Sequence, residues 1–181
     1  MMRWATYVVV AAVLLTMQSA LAPAVEIRGV RPDWLLVGAV FLGLYVKPTH
    51  AVVAAWVLGL CADLMTVERP GLISFSYMMV AAAVISVREY LFRYWALTQF
   101  TLTLVLAVCV QTVWMMYRRT MYAPVRPLWS DWFVGAMMTS LYTAAWAPIL
   151  HRLLLQLSGL LGIARPRYSH AGLRSVGSSN V

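Results

Sequence analysis

Long uncharged apolar runs alternate with short polar segments along this chain, and the runs are the length of membrane crossings. The first extends from Trp4 to Val25 without a charge. A crossing takes about 20 residues at about 1.5 Å each, so this run predicts a membrane helix. A cleaved signal peptide is the competing reading. Met1-Met2-Arg3 is a basic start, and Ala20-Leu21-Ala22 has the small residues of a cleavage site. Pro23 directly after that site opposes cleavage, which favours a helix retained as an anchor. Two shorter runs follow, Trp34–Val46 and Ala51–Met65, separated by Lys47-Pro48-Thr49-His50. So short a break predicts an antiparallel helical hairpin. Its helices either extend into their polar flanks or form a re-entrant pair. The fourth run is Gly71–Val87, the fifth Ala96–Tyr117, and the sixth begins near Trp132 and passes Pro148 toward Ile163. Trp95, Trp129 and Trp132 flank these runs as interfacial anchors do. The pattern predicts an all-α integral membrane protein, a compact bundle of about six transmembrane helices over residues 1–163. The Gly-, Ser- and Arg-rich stretch 164–181 predicts a disordered basic tail.

Within lipid, helices associate by close approach over small residues and by hydrogen bonds between spans. Ala51, Ala55 and Gly59 repeat every fourth residue and share one face, which Asp63 continues. Gly135, Thr139, Thr143 and Ala147 form a second such seam, and Ser74, Ala82 and Ser86 share a side of the fourth run. These are candidate packing seams, one of which could stay open for a partner's helix. Polar residues within spans are few; Gln18 and Ser19 lie in the first and Gln111 and Thr112 in the fifth, and bonding across helices is the role expected of them. Asp33 follows Arg31-Pro32 at the start of the second run, as a helix amino-terminal acid does. Asp63 reads as an interfacial residue that caps or pairs with the Glu68-Arg69 turn. No Ser, His or Cys nucleophile constellation accompanies the two acids. His50 sits in a turn, His151 follows a helix-ending proline and His170 is in the tail, so none reads as a metal ligand. Cys61 and Cys109 lie inside apolar runs and read as small buried hydrophobes.

Composition sharpens this picture. The chain is 62% hydrophobic and 11% charged, against about 45–50% and about 25% in soluble domains. A net charge of +8 would suit nucleic acid, but the basic residues sit between apolar runs, where orienting charges lie, so no nucleic-acid partner is expected. With both termini inside, the inner segments hold Arg3, Lys47, Arg88, Arg93, Arg152, Arg165, Arg167 and Arg174. The outer ones hold Arg28, Arg31, Arg69, Arg118, Arg119 and Arg126. Eight basic residues against six favours cytoplasmic termini.

Arg31-Pro32-Asp33-Trp34-Leu35-Leu36 resembles the RP(D/N)-x-LL opening of the second helix in the MreD family, the bacterial rod shape-determining membrane proteins. Gly59 to Asp63-Leu64, followed by Pro70-Gly71-Leu72, resembles that family's G-x-x-x-DL…PLG motif, with the PLG triplet reduced to Pro70-Gly71. The resemblance implies a non-catalytic scaffold of cell-wall elongation in the inner membrane, without cofactors. Its implied partners are an MreC-like bitopic protein and, in a larger complex, an MreB-like filament, a RodA-like polymerase, a class B penicillin-binding transpeptidase and membrane lipid. It also implies a fold similar to the substrate-binding subunits of energy-coupling-factor transporters. From that similarity comes the rival expectation, a small-solute (vitamin-like) binding subunit. The scarcity of polar groups within spans favours the scaffold, because a hydrophilic pocket needs several converging donors and acceptors.

The orientation is open to a direct check with a membrane-impermeant maleimide, using single cysteines at Ala123 and Ser178 in a background lacking Cys61 and Cys109. Ala123 is expected to label in intact cells and Ser178 only after lysis. Labelling of Ser178 from outside would refute cytoplasmic termini.

Overall fold

In lipid no water is at hand for backbone N–H and C=O groups, so a spanning segment must satisfy them internally. The described residues obey this as helices. In a computed structural model, which describes residues 2–27, 29–66, 70–90, 95–122 and 129–160, they form α1 (Met2–Thr16), α2 (Ala22–Ala24), α3 (Trp34–Tyr45), α4 (Pro48–Leu64), α5 (Leu72–Val87), α6 (Ala96–Tyr122) and α7 (Trp129–Leu160). Among them there is no strand, only an isolated bridge between Ile27 and Val30. A π turn over Met17–Leu21 joins α1 to α2. Pro23 lacks an N–H, and its ring crowds the carbonyl one turn back, which accounts for the helix widening just before it.

Three stretches are long and apolar enough to cross a membrane: Tyr7–Ala24, Ala96–Met121 and Phe133–Leu157. The remaining apolar helices are shorter, 12 residues in α3, 17 in α4 and 16 in α5. Their lengths follow from position. α3 is apolar all round, and every residue from Trp34 to Leu44 is buried, as in a helix at the centre of a bundle. α1, α4, α5 and α7 pack against it, α4 pairs with α5, and α6 lies mainly on α7. At about 1.5 Å per residue α3 is only about 18 Å long, so it is enclosed by protein and does not have to match the bilayer.

Helical periodicity selects the buried faces: Tyr7, Val10 and Leu14 on α1; Ala51, Ala55, Leu58, Gly59 and Ala62 on α4; Thr143, Ala147, Leu150 and Leu154 on α7. All three residues of the Ala51–Ala55–Gly59 seam are buried, and at Gly59 the seam meets α5. A Cβ on Gly59 would lie 2.5 Å from the Cα of Ser74, a distance no side chain tolerates. Other expectations are corrected. α5 buries Ile73, Ser74, Tyr77, Val80, Ala81 and Val84, whereas Ser86 is exposed and bonds within its own helix, so Ser74–Ala82–Ser86 is not its packing seam. On α7, Thr143 and Ala147 are buried but a Cβ on Gly135 would meet nothing within 4 Å, so the seam is closed at one end only. Pro148 lies inside α7, which continues through it, and His151 is fully buried. Cys109 is exposed on α6, and Cys61 is half-buried. The carboxyl end of α3 is closed by Arg88, whose Nη1 donates to the Val46 carbonyl at 2.7 Å and the Gly43 carbonyl at 3.3 Å. The Glu68-Arg69 turn and the 164–181 tail lie outside the described residues.

Gly59→Leu is expected to abolish the monodisperse, folded protein in detergent, because it drives a side chain into the backbone of α5. Leu58→Ala, which leaves a cavity, should cost about 2–5 kcal/mol and still fold. Size-exclusion profiles and thermal unfolding of the two variants decide this. Equal stability would show that α4 and α5 are not in close contact at Gly59.

Candidate functional site

Two carboxylates organise one end of the bundle, each closing a helix amino terminus. Asp33 precedes α3, and its Oδ1 accepts the Leu36 N–H at 3.0 Å, the bond of an N-cap. The Tyr77 hydroxyl, from α5, approaches both Asp33 oxygens at 2.8 and 2.9 Å. The backbone around Asp33 is held as well. Its N–H donates to Thr143 Oγ1 of α7 at 3.0 Å, and the Trp34 N–H donates to Gln18 Oε1 at 2.9 Å. Gln18 Nε2 donates in turn to the Pro32 carbonyl at 3.4 Å. The Trp34 ring meets Trp146 edge-on at 5.8 Å between centroids. Surrounding protein pushes the Asp33 carboxyl above its ordinary pKa, while the bonds from Leu36 and Tyr77 pull it down. Arg31 is exposed and pairs with Glu26, across the Ile27–Val30 turn.

Asp63 ends α4 and is 2% exposed. Its Oδ2 accepts the N–H groups of Gly71 at 2.9 Å and Ser74 at 3.0 Å, together with the Ser74 hydroxyl. Oδ1 accepts the Ile73 N–H at 3.1 Å. A single side chain thus meets the unpaired donors of the first turn of α5 from a neighbouring helix. Gly71 supplies the sharp turn this needs, with φ of 114°, a conformation that favours glycine. Asp63 is therefore a buried cap of α5; the Glu68-Arg69 turn it was expected to meet lies outside the described residues. Ser74 and Tyr77 lie three residues apart on one face of α5, so that face joins the two carboxylates.

The motif residues do not all converge. Asp33, Gly59, Asp63 and Gly71 take part in these contacts, Pro32 is buried beneath them, and Leu64 and Pro70 are exposed. Of the second seam, Thr143 reaches Asp33, Thr139 is half-buried and Gly135 stands apart. Of the four in-span polar residues singled out in the sequence, Gln18 bonds across helices, while Ser19 and Thr112 bond to their own helix. Sequence reasoning missed Tyr77, whose apolar neighbours conceal a buried hydroxyl. It also missed a second polar patch, where Gln99 Nε2 of α6 donates to the Tyr45 hydroxyl at 3.1 Å. There His151 sits against Phe41 and Tyr45, at 5.8 and 6.3 Å between centroids. The four-residue spacing of Gln99, Thr103 and Ala107 is the signal that could have revealed that face. Among the described residues, no three His, Cys, Asp or Glu side chains are grouped as metal ligands would be.

A central apolar helix, helices of spanning length around it and carboxylates used as caps define a helical membrane protein whose polar residues bind helices to each other. The chain belongs to the MreD family: the family profile, rod shape-determining protein MreD, matches residues 1–156. No curated protein and no solved structure matches it. Membership places the protein in rod-shape determination and cell-wall elongation, in general association with the shape-determining machinery. The family is one of structural membrane proteins and not a known enzyme family.

Asp63→Ala would strand three backbone donors at about 1–3 kcal/mol each and is expected to leave no folded protein. Asp63→Asn keeps one acceptor oxygen and should give an intermediate loss of thermal stability in detergent. If wild type, Asn and Ala variants unfolded together, the cap would carry no weight.

Proposed function

We propose that this protein is a non-catalytic scaffold of the cell-wall elongation machinery in the bacterial inner membrane. It is multi-pass, with about six membrane segments and both termini in the cytoplasm. It holds the single transmembrane helix of an MreC-like partner, and with it sits among an MreB-like filament, a RodA-like polymerase and a class B penicillin-binding transpeptidase.

The observation that carries this reading is the use made of Asp33 and Asp63. Their oxygens accept bonds from Leu36 and Tyr77 and from Gly71, Ile73 and Ser74, so both acids serve to hold α3, α4, α5 and α7 in register. Such an arrangement suits a rigid platform. The outward faces of α4 and α5, with Val53, Trp56, Leu60, Phe75 and Met79 exposed, offer apolar surface to lipid or to another helix. The basic residues at the other end, Lys47, Arg88 and Arg152 among them, face the filament and anionic lipid in this orientation.

Depletion in a rod-shaped host separates this function from solute transport. Cells are expected to widen or round while uptake of labelled vitamins stays normal. Normal width with the loss of one uptake activity would assign the chain to a transporter's binding subunit instead.

A further inference from the structure

α6 and α7 run antiparallel, and the residues that line the cleft between them give their register. Gln111 and Met115 of α6 stand there with Thr139 and Gly135 of α7. Counting by fours from Gln111 and Thr139, away from the cleft, puts Ala107 level with Thr143, Thr103 with Ala147 and Gln99 with His151. All six are buried, as the facing sides of two packed helices should be. Gln99 is tied to α3 through the Tyr45 hydroxyl, and the His151 ring lies against Phe41 and Tyr45 of that same helix. Gln99, Thr103 and His151 therefore come together at the junction of α3, α6 and α7, at the end of the bundle away from Asp33.

Three polar groups at this junction are short of partners. Both His151 ring nitrogens are buried and meet no hydrogen-bond partner among the described residues. The Val37 carbonyl of α3 approaches the ring without completing a bond. The second group is the Thr103 hydroxyl, which is buried and likewise unmet. A hydroxyl inside a helix ordinarily turns back to the carbonyl four residues earlier, as those of Ser76, Thr112 and Ser140 do, but that of Thr103 does not. The third is the Ala144 carbonyl. Its helical donor would be the N–H of residue 148, and Pro148 has none. Ala144 and His151, both buried, are seven residues apart on one face of α7. Helix carbonyls point toward the carboxyl end, so this oxygen is directed to the level of Ala147 and Thr103.

Buried polar groups of this kind are ordinarily bridged by ordered water, which takes about two to four polar partners. Such waters, with Ser and Thr side chains, are also what makes proline tolerable inside a membrane helix. We propose that one ordered water molecule sits at this junction, held by the Thr103 hydroxyl, a ring nitrogen of His151 and the Ala144 carbonyl. Thr103 has only the methyl group of Ala147 level with it across the helices, so no bulky side chain claims the space. The water ties α6 to the proline turn of α7 and, through His151, to α3. A cation is the poorer occupant. Asp33 and Asp63 are engaged at the other end of the bundle, and a hydroxyl and a carbonyl bring no charge to offset one. A direct bond between Thr103 and His151 is poorer too, because it leaves the Ala144 carbonyl unmet.

The sign of one substitution shows whether the hydroxyl is engaged. Thr103→Val removes it at nearly constant volume. An unpartnered buried hydroxyl destabilises, so its removal would raise the unfolding temperature of the full chain in detergent. A hydroxyl bonded to water stabilises, and its loss should lower that temperature by roughly 2–4 °C. His151→Phe should lower it as well, and the double variant should lose less than the sum of the two, since both groups share one partner. A density map of the wild-type chain, at a resolution that shows ordered water, should hold a peak within hydrogen-bond reach of Thr103 Oγ1 and a His151 ring nitrogen. The Thr103→Val map should lack it. A higher or unchanged unfolding temperature for Thr103→Val, or losses that simply add, would overturn the proposal. So would a map in which Thr103 bonds His151 directly, or in which the peak has the short contacts of a cation. Should His151→Phe fail to fold, Thr103→Val and the two maps decide.

Discussion

The start of a helix carries N–H groups that its own turns leave unpaired, and inside a membrane bundle water is not there to take them. At α5 one carboxylate, that of Asp63, accepts three of these donors. At about 1–3 kcal/mol for each buried donor left without a partner, this contact rivals the net stability of a whole domain, about 5–15 kcal/mol. Much of the rest depends on it. With the end of α4 tied to the start of α5, the two helices must approach closely, and Gly59 against Ser74 is where the backbones meet. Tyr77, less than one turn beyond Ser74, then delivers its hydroxyl to Asp33, so the cap of α5 and the cap of α3 form one connected system.

Around that system the bundle is uneven in length. α3 is short because it touches no lipid, and its apolar surface is covered on all sides by α1, α4, α5 and α7. α6 and α7 are long, 27 and 32 residues, and lie mainly on each other.

The two aspartates also show why residue type alone is an uncertain guide to chemistry. A pair of acids near the ends of apolar runs could belong to an acid–base site. Here, their oxygens are taken up by backbone N–H groups and by hydroxyls of Tyr77 and Ser74, and each acts by closing a helix.

By itself, the sequence determined the helical membrane class, the positions of the apolar helices to within a few residues, and the family, because run length, turn residues and the Arg31–Asp33 and Gly59–Gly71 motifs are local properties of the chain. It also indicated that Asp33 sits at a helix start and that Gly59 lies on a small-residue face. Tertiary structure decided what those residues meet. Whether a seam is filled or open depends on the helix across from it: Gly59 is pressed against Ser74, and Gly135, with the same kind of spacing, faces empty space. Whether a polar residue bonds across helices depends on rotation about the helix axis, which turned Gln18, Gln99 and Tyr77 inward and left Thr112 on its own helix. An apolar period is a weak guide to that rotation where nearly every residue is apolar, since lipid and protein are then equally acceptable neighbours for a side chain.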